Sequence, residues 1–324
     1  MTLWHEYNDR ASQQRHKERR LARPTLRLHL ALLGSPEARL GKRTLKFPTR
    51  KTLALLAYLA TEAGEQQRDH LAALLWPDAS AERGHASLRN TLGHLQAALR
   101  QASGRTQTTY IAVSYGTLAL NPEAGLDLDL QTVERAYGQA RADRSGRAAP
   151  EGSASRPLLQ SAAACYRGDF LEGFSLGDAP GFDDWVGVQR EVWRRRLGLI
   201  LDRLAEIQFA SGEFASAAET AALWIRLDAL NERAYRRKMR AHFAAGERGQ
   251  ALETYAACRA ILAAELQAEP EPDTEALAAH IRRQPALAPL PVTPVAYLWG
   301  LFAGRTAEHH ALERIPYCAT AGIR

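Results

Sequence analysis

The sequence predicts a mainly α-helical protein in two parts, a small α+β head over residues 25–122 followed by paired helices over residues 126–284. Three observations carry this expectation. Leucines alternate with other residues from Leu26 to Leu32, as in a half-buried strand. Three helix-like segments and a hairpin-like pair of β-rich runs then follow within about 95 residues. Finally, a 34-residue shift superposes Phe209-Ala210 on Phe243-Ala244 and Gly212-Glu213 on Gly246-Glu247, with Ala217 on Ala251 and Ala222 on Ala256. The chain has 324 residues, about twice the length of a typical domain.

In order, Gly34-Ser35-Pro36 turns the first strand, and extended stretches follow at Ala38–Leu40 and Thr44–Phe47. Pro48-Thr49 opens a helix whose Leu53, Leu56, Ala57 and Ala60 keep helical spacing, and Gly64 stops it. A second helix over Arg68–Trp76 ends at Pro77, and a third runs from Ala81 to Ala102 with Gly104 as its stop. Thr109–Val113 and Thr117–Leu120 flank Ser114-Tyr115-Gly116, the pattern of a hairpin. Strands, three helices and a terminal hairpin in this order describe a winged helix-turn-helix. The stretch Gly138–Pro157, rich in Gly, Ser, Arg and Ala, reads as a flexible insertion. The 34-residue period, with Gly between the helices of each pair, is the tetratricopeptide signature, and a degenerate earlier repeat is expected between Leu130 and Arg196.

Charge is unevenly spread. The chain carries +6 overall, whereas residues 1–105 hold 18 basic and 9 acidic side chains. A basic head on a mildly acidic remainder points to a polyanion at one end. Residues 1–24 read as a basic disordered tail. No apolar run approaches the roughly 20 residues of a membrane helix, and no secretory signal is legible, so no membrane partner and a cytoplasmic, nucleoid-associated protein are expected. Cys165, Cys258 and Cys318 lack ligand or disulfide spacing and read as reduced thiols.

The third helix carries the candidate site. Leu88, Leu92, Leu95 and Leu99, spaced 4, 3 and 4, mark its core face, and Arg83, Ser87, Asn90 and His94 lie opposite. Asn pairs bidentately with adenine and Arg with guanine, while Ser and His meet several base edges. Phosphate contacts are expected from Arg50 and Lys51 at the first helix, from Arg89 and Arg100 flanking the reading face, and from Arg105. The wing adds Thr108, Thr109 and Tyr115. A polar outer face is also what any amphipathic surface helix shows, and the wing and the head's charge weigh towards DNA.

The residues resemble the SARP-type bacterial transcriptional activators, an OmpR-like winged helix followed by a bacterial transcriptional activator domain of tetratricopeptide type. In the head the likeness rests on Leu26-Arg27-Leu28, Arg50-Lys51 before Leu55-Leu56-Ala57-Tyr58-Leu59, Leu71–Asp78, Ser87-Leu88-Arg89-Asn90 with Leu95, and Asp127–Leu130. Further on it rests on Tyr166-Arg167-Gly168-Asp169-Phe170-Leu171, Asp184-Trp185, Glu232–Arg237, and the stretch from Gly246 to Thr274. The resemblance implies binding to promoter DNA, contact with RNA polymerase, and pairing with a second copy of the chain. The recognition helix departs from the family pattern at Gly93, His94, Gln96 and Ala97, where Arg is denser in relatives.

No cofactor is expected. The only Gly-Lys pair, Gly41-Lys42, has Pro36 where a phosphate-binding loop needs its first glycine. Residues 285–324 read as a linker and a truncated remnant of an ATPase module. No catalytic constellation is legible, so an enzyme is not expected. Glu308-His309-His310 with Cys318 lacks further metal ligands. Asp183-Asp184 reads as a helix opening, His242 as packed, Trp185, Trp193 and Trp224 as repeat core, and Arg194-Arg195-Arg196 as a solvated face. Two alternatives stand beside the transcriptional reading: a protein-interaction scaffold built on the repeats, and a fragment of an ATPase-linked regulator.

Overall fold

A computed structural model describes residues 26–104, 108–144 and 155–283. The expectations for residues 1–24, for Arg105, for 145–154 of the insertion and for 285–324 (Cys318 and the paired histidines included) lie outside the described residues. The first part of the expected flexible insertion is instead helical: residues 138–144 continue the helix that starts at Asp129, with Ala140 buried.

The chain begins with β1 (Leu28–Ala31), β2 (Glu37–Leu40) and β3 (Arg43–Thr44). Three helices follow, α1 (Arg50–Thr61), α2 (Arg68–Leu75) and α3 (Ala81–Ser103), with the short β4 (Gln66–Gln67) before α2. The hairpin β5 (Ile111–Val113) and β6 (Thr117–Leu120) then leads to β7 (Leu126–Leu128). Two small sheets result, in the orders β3-β2-β1-β7 and β4-β6-β5. Strand β7 runs parallel to β1, with Leu28 opposite Leu126 and Leu30 opposite Leu128. Helix–turn–helix followed by a hairpin is the order of a winged helix.

The remainder is helical: α4 (Asp129–Arg144), α5 (Arg156–Cys165), α6 (Pro180–Ala210), α7 (Phe214–Leu227), α8 (Glu232–Ala244), α9 (Arg248–Leu266) and α10 (Pro272–Arg283). The 34-residue period reappears as one turn built twice. Gly212 donates to the Phe209 carbonyl and Glu213 to that of Gln208; Gly246 donates to Phe243 and Glu247 to His242. Both glycines have positive φ, 76° and 80°, the left-handed closure that glycine tolerates best. Ala217 and Ala251 are buried as expected, but Ala222 and Ala256 are not. The buried positions one helical turn on from the first pair are Ala221 and Tyr255. Residue identity had picked a neighbour of the packing position.

Head and helical part share a core. One cluster of buried side chains runs from Leu28 and Leu30 in β1, through Leu55 and Leu56 in α1, to Phe170, Phe182, Leu201 and Trp224. The Tyr166–Leu171 segment makes the join. Gly34 donates to the Asp169 carbonyl at 2.9 Å, Leu171 to Leu32 at 2.8 Å and Arg167 to Leu33 at 3.3 Å. Gly34 sits at φ 110°, and a Cβ there would lie 3.0 Å from the Arg167 Cβ and 3.2 Å from its carbonyl carbon. Only glycine admits that approach. Trp185 belongs to this join as well, which corrects its reading as repeat core. Its indole N–H donates to Glu62 at 2.7 Å and its ring lies 4.8 Å from that of Tyr58. Trp193 and Trp224 are buried in the helical part.

Asp183 accepts the Leu176 N–H at 2.8 Å, and His242 pairs with Glu247 at 2.7 Å. Arg194 and Arg196 are paired, with Asp169 and with Glu134, so only Arg195 of that run is an exposed solvated cation. Cys165 and Cys258 form no disulfide, and burial pushes the Cys258 thiol up to about 11.

Candidate nucleic-acid interface

The interface is built on α3. Ser80 precedes the helix and Gly104, at φ 61°, ends it. Gly84, Leu88, Thr91, Leu92, Leu95, Leu99 and Ser103 are buried, which turns the opposite face outward. Arg83, Asn90 and His94 are exposed there and Ser87 is half-buried, so the four residues expected to read bases lie along one face. Arg89 and Arg100 flank it and are exposed. Among the described residues none of these six side chains forms a hydrogen bond or ion pair. Their donors are therefore available to an outside acceptor at no cost in internal pairing.

Helix α2 supports α3 from behind. Asp69 pairs with His85 at 2.9 Å, and the Tyr58 hydroxyl shares a hydrogen bond with His70 at 3.0 Å. The hairpin stands beside the pair. Arg68, the first residue of α2, donates its N–H to the Gly116 carbonyl at 2.9 Å, and Ser114 donates to Thr117 at 3.0 Å, closing the tip. Tyr115 at that tip is fully solvent-exposed, and neighbouring Val113 is 47% exposed. At the base of the hairpin, Thr109 is exposed, while its carbonyl accepts from Asn121 at 2.8 Å. Val113 and Arg68 join the surface without having been singled out in the sequence. Arg68 is placed there by the β4–β6 pairing, and two residues of strand leave no periodic signal.

Arg50 and Lys51 are placed differently from expectation. Both open α1, where Thr49 accepts the Thr52 N–H as an N-cap, but that end of the helix faces the helical part. The Lys51 ammonium lies 2.8 Å from Asp178, with its side chain only 15% exposed, and 5.2 Å from the Trp76 ring. The Arg50 guanidinium stacks 4.9 Å over Phe174. Lys51 is thus spent on an internal ion pair, whereas Arg50, stacked on Phe174, stays exposed with its N–H donors unpaired among the described residues; sequence could show neither Asp178 nor Phe174, both more than 120 residues away.

The hydrogen bond from Lys51 holds the Asp178 carboxyl below its usual range. The pair therefore contributes above that range and loses its contribution as the pH falls through the lowered value. Asp178 is mostly exposed, so the contribution stays below about 1 kcal/mol. Urea titrations of Asp178→Asn should show a small deficit at neutral pH that vanishes in acid.

Among the described residues, no group of three or more His, Cys, Asp or Glu is placed to hold a metal ion, and no helix is long and apolar enough to cross a membrane.

Residues 128–282 match the family model described as the bacterial transcriptional activator domain. The fold is similar to that of Mycobacterium tuberculosis EmbR in complex with a low affinity phosphopeptide, with a TM-score of 0.60 at 22% identity. That likeness covers 80% of this chain, more than the matched domain alone, and 66% of the EmbR chain; the chain thus spans just under two thirds of that structure. No curated protein sequence matches significantly.

Proposed function

From the premise that the chain carries a bacterial transcriptional activator domain over residues 128–282, as the SARP-type resemblance implied, we propose that it is a sequence-specific DNA-binding transcriptional regulator. In this reading α3 enters the major groove, with Arg83, Ser87, Asn90 and His94 towards base edges, and the hairpin tip with Tyr115 meets the adjacent minor groove. Arg89, Arg100, Arg105 and Thr109 contact phosphates and set the register. Lys51, engaged with Asp178, drops out of that set, while Arg50, exposed over Phe174, stays in it. The helical part engages RNA polymerase and a second copy of the chain, making the protein an activator.

One observation carries the proposal: a solvent-facing row of donors on α3, none with an internal partner, beside an exposed aromatic hairpin tip. A merely solvated helix face has no reason to lie beside such a tip.

A footprint on the DNA upstream of the gene, with random-DNA competitor and a salt series, tests the reading. Asn90→Ala should reduce discrimination between specific and random DNA by about 1–3 kcal/mol. Arg89→Ala should weaken both alike and lower the salt slope by about one. Equal losses on both DNAs for Asn90→Ala remove the base-reading role. Binding that random competitor abolishes removes the proposal altogether and leaves the repeats as a protein scaffold.

A further inference from the structure

The helical part holds a cleft of about 700 Å³ between α4, α6, α7 and α8, within the volume range of small-molecule sites. Its charges are unbalanced in a specific way. The acidic side chains of its wall are all engaged. Glu191 pairs with Arg194, Asp202 with Arg233 at 2.7 Å and Arg237 at 2.8 Å, and Asp228 accepts from Asn231 at 3.1 Å. Two guanidiniums of the same wall have no acidic partner. The Arg195 side chain makes no hydrogen bond or ion pair among the described residues, and that of Arg141 has only the Tyr137 ring, 5.7 Å away.

A third donor comes from the buried side. Trp224 is 5% exposed and lines the cleft, yet its indole N–H has no hydrogen-bond partner among the described residues. Unlike the Trp193 N–H, it is not shut off from solvent, so it opens onto the cleft. Facing the indole is Gly198, in mid-helix, where glycine weakens the helix relative to alanine. A Cβ at that position would stand 3.0 Å from the Trp224 Nε1, so glycine is what lets the indole nitrogen come this close to α6.

We propose that this cleft binds a small organic anion, an oxyanion on an apolar body. The oxyanion is held by Arg141, Arg195 and the Trp224 N–H, and its body lies against the Tyr137 and Leu199 side of the wall. Guanidinium forks and an indole N–H are all donors without acceptor capacity, so the group they converge on must supply lone pairs. Carboxylate and phosphate ester share that chemistry.

Calorimetry on the full chain distinguishes the two, with phenyl phosphate and benzoate as probes and phenol as the neutral control. At least one anionic probe should bind with 1:1 stoichiometry, and the probe that binds assigns the class. Arg141→Ala and Arg195→Ala should each weaken it at least about tenfold, the loss of one charge-assisted hydrogen bond. Trp224→Phe keeps the ring but removes the donor, and should weaken binding several-fold. Arg240→Ala, exposed on α8 and outside the cleft, should leave it unchanged. Failure of both anions to saturate, phenol binding as tightly as either, or full affinity in both arginine variants overturns the proposal. The DNA footprint is read independently, so either reading can fail without the other.

Discussion

Asp129→Ala is expected to lower the unfolding free energy by about 3–5 kcal/mol, measured by urea titration. The first residue of α4 reaches back to the end of β1. One carboxylate oxygen accepts the N–H groups of Leu32 at 2.6 Å and Leu33 at 2.8 Å, and the other accepts that of Leu130 at 2.8 Å. Leu32 and Leu33 are both buried, so water cannot replace the lost acceptor. Asp129→Asn keeps an acceptor oxygen and should cost less, about 1–2 kcal/mol.

The pH dependence has a definite sign. Burial raises the Asp129 pKa, outweighing the three N–H bonds that act to lower it. The folded chain therefore takes up this proton at higher pH than the unfolded chain does. The resulting stabilisation is complete below the unfolded value and is lost as the pH rises through the folded one. Asp129→Asn lacks that titration, so its difference from the parent chain should vary with pH over this window. A constant difference would assign the role to shape alone.

Phe170→Ala should cost about 3–5 kcal/mol, the usual loss for a large buried aromatic, and should also separate two events. Phe170 is fully buried, bridges to Leu33 across the join and packs edge-on to Trp185 at 5.7 Å. Its carbonyl and that of Leu171 accept the Arg190 guanidinium, each at 3.0 Å. With one core running through head and helical part, the parent chain should melt in a single calorimetric transition. Removing the ring at the seam should split it in two, with the helical transition the less displaced. A single transition with a loss under about 1 kcal/mol would show that the two parts are stable without the seam.

Two kinds of information meet in this molecule. The sequence by itself determined whatever depends on neighbours within a turn or two: the bounds of α3, its leucine face and the row from Arg83 to His94 opposite, the hairpin around Tyr115, and the repeated Gly turns at 212 and 246. Helical and strand periods, Gly and Pro act over a few residues and leave a local pattern. Other features came only with the tertiary structure. Strand β7 pairs with β1 across almost a hundred residues, and Asp129 caps a strand end that far back in the chain. The Tyr166–Leu171 motif, recognisable as a family feature, showed its job only when seated on Gly34. Lys51 had the composition of a phosphate contact until the fold brought Asp178 to it. Which partner a polar side chain finds is decided by whatever the fold delivers within about 3 Å, and no period along the chain records a partner that far away.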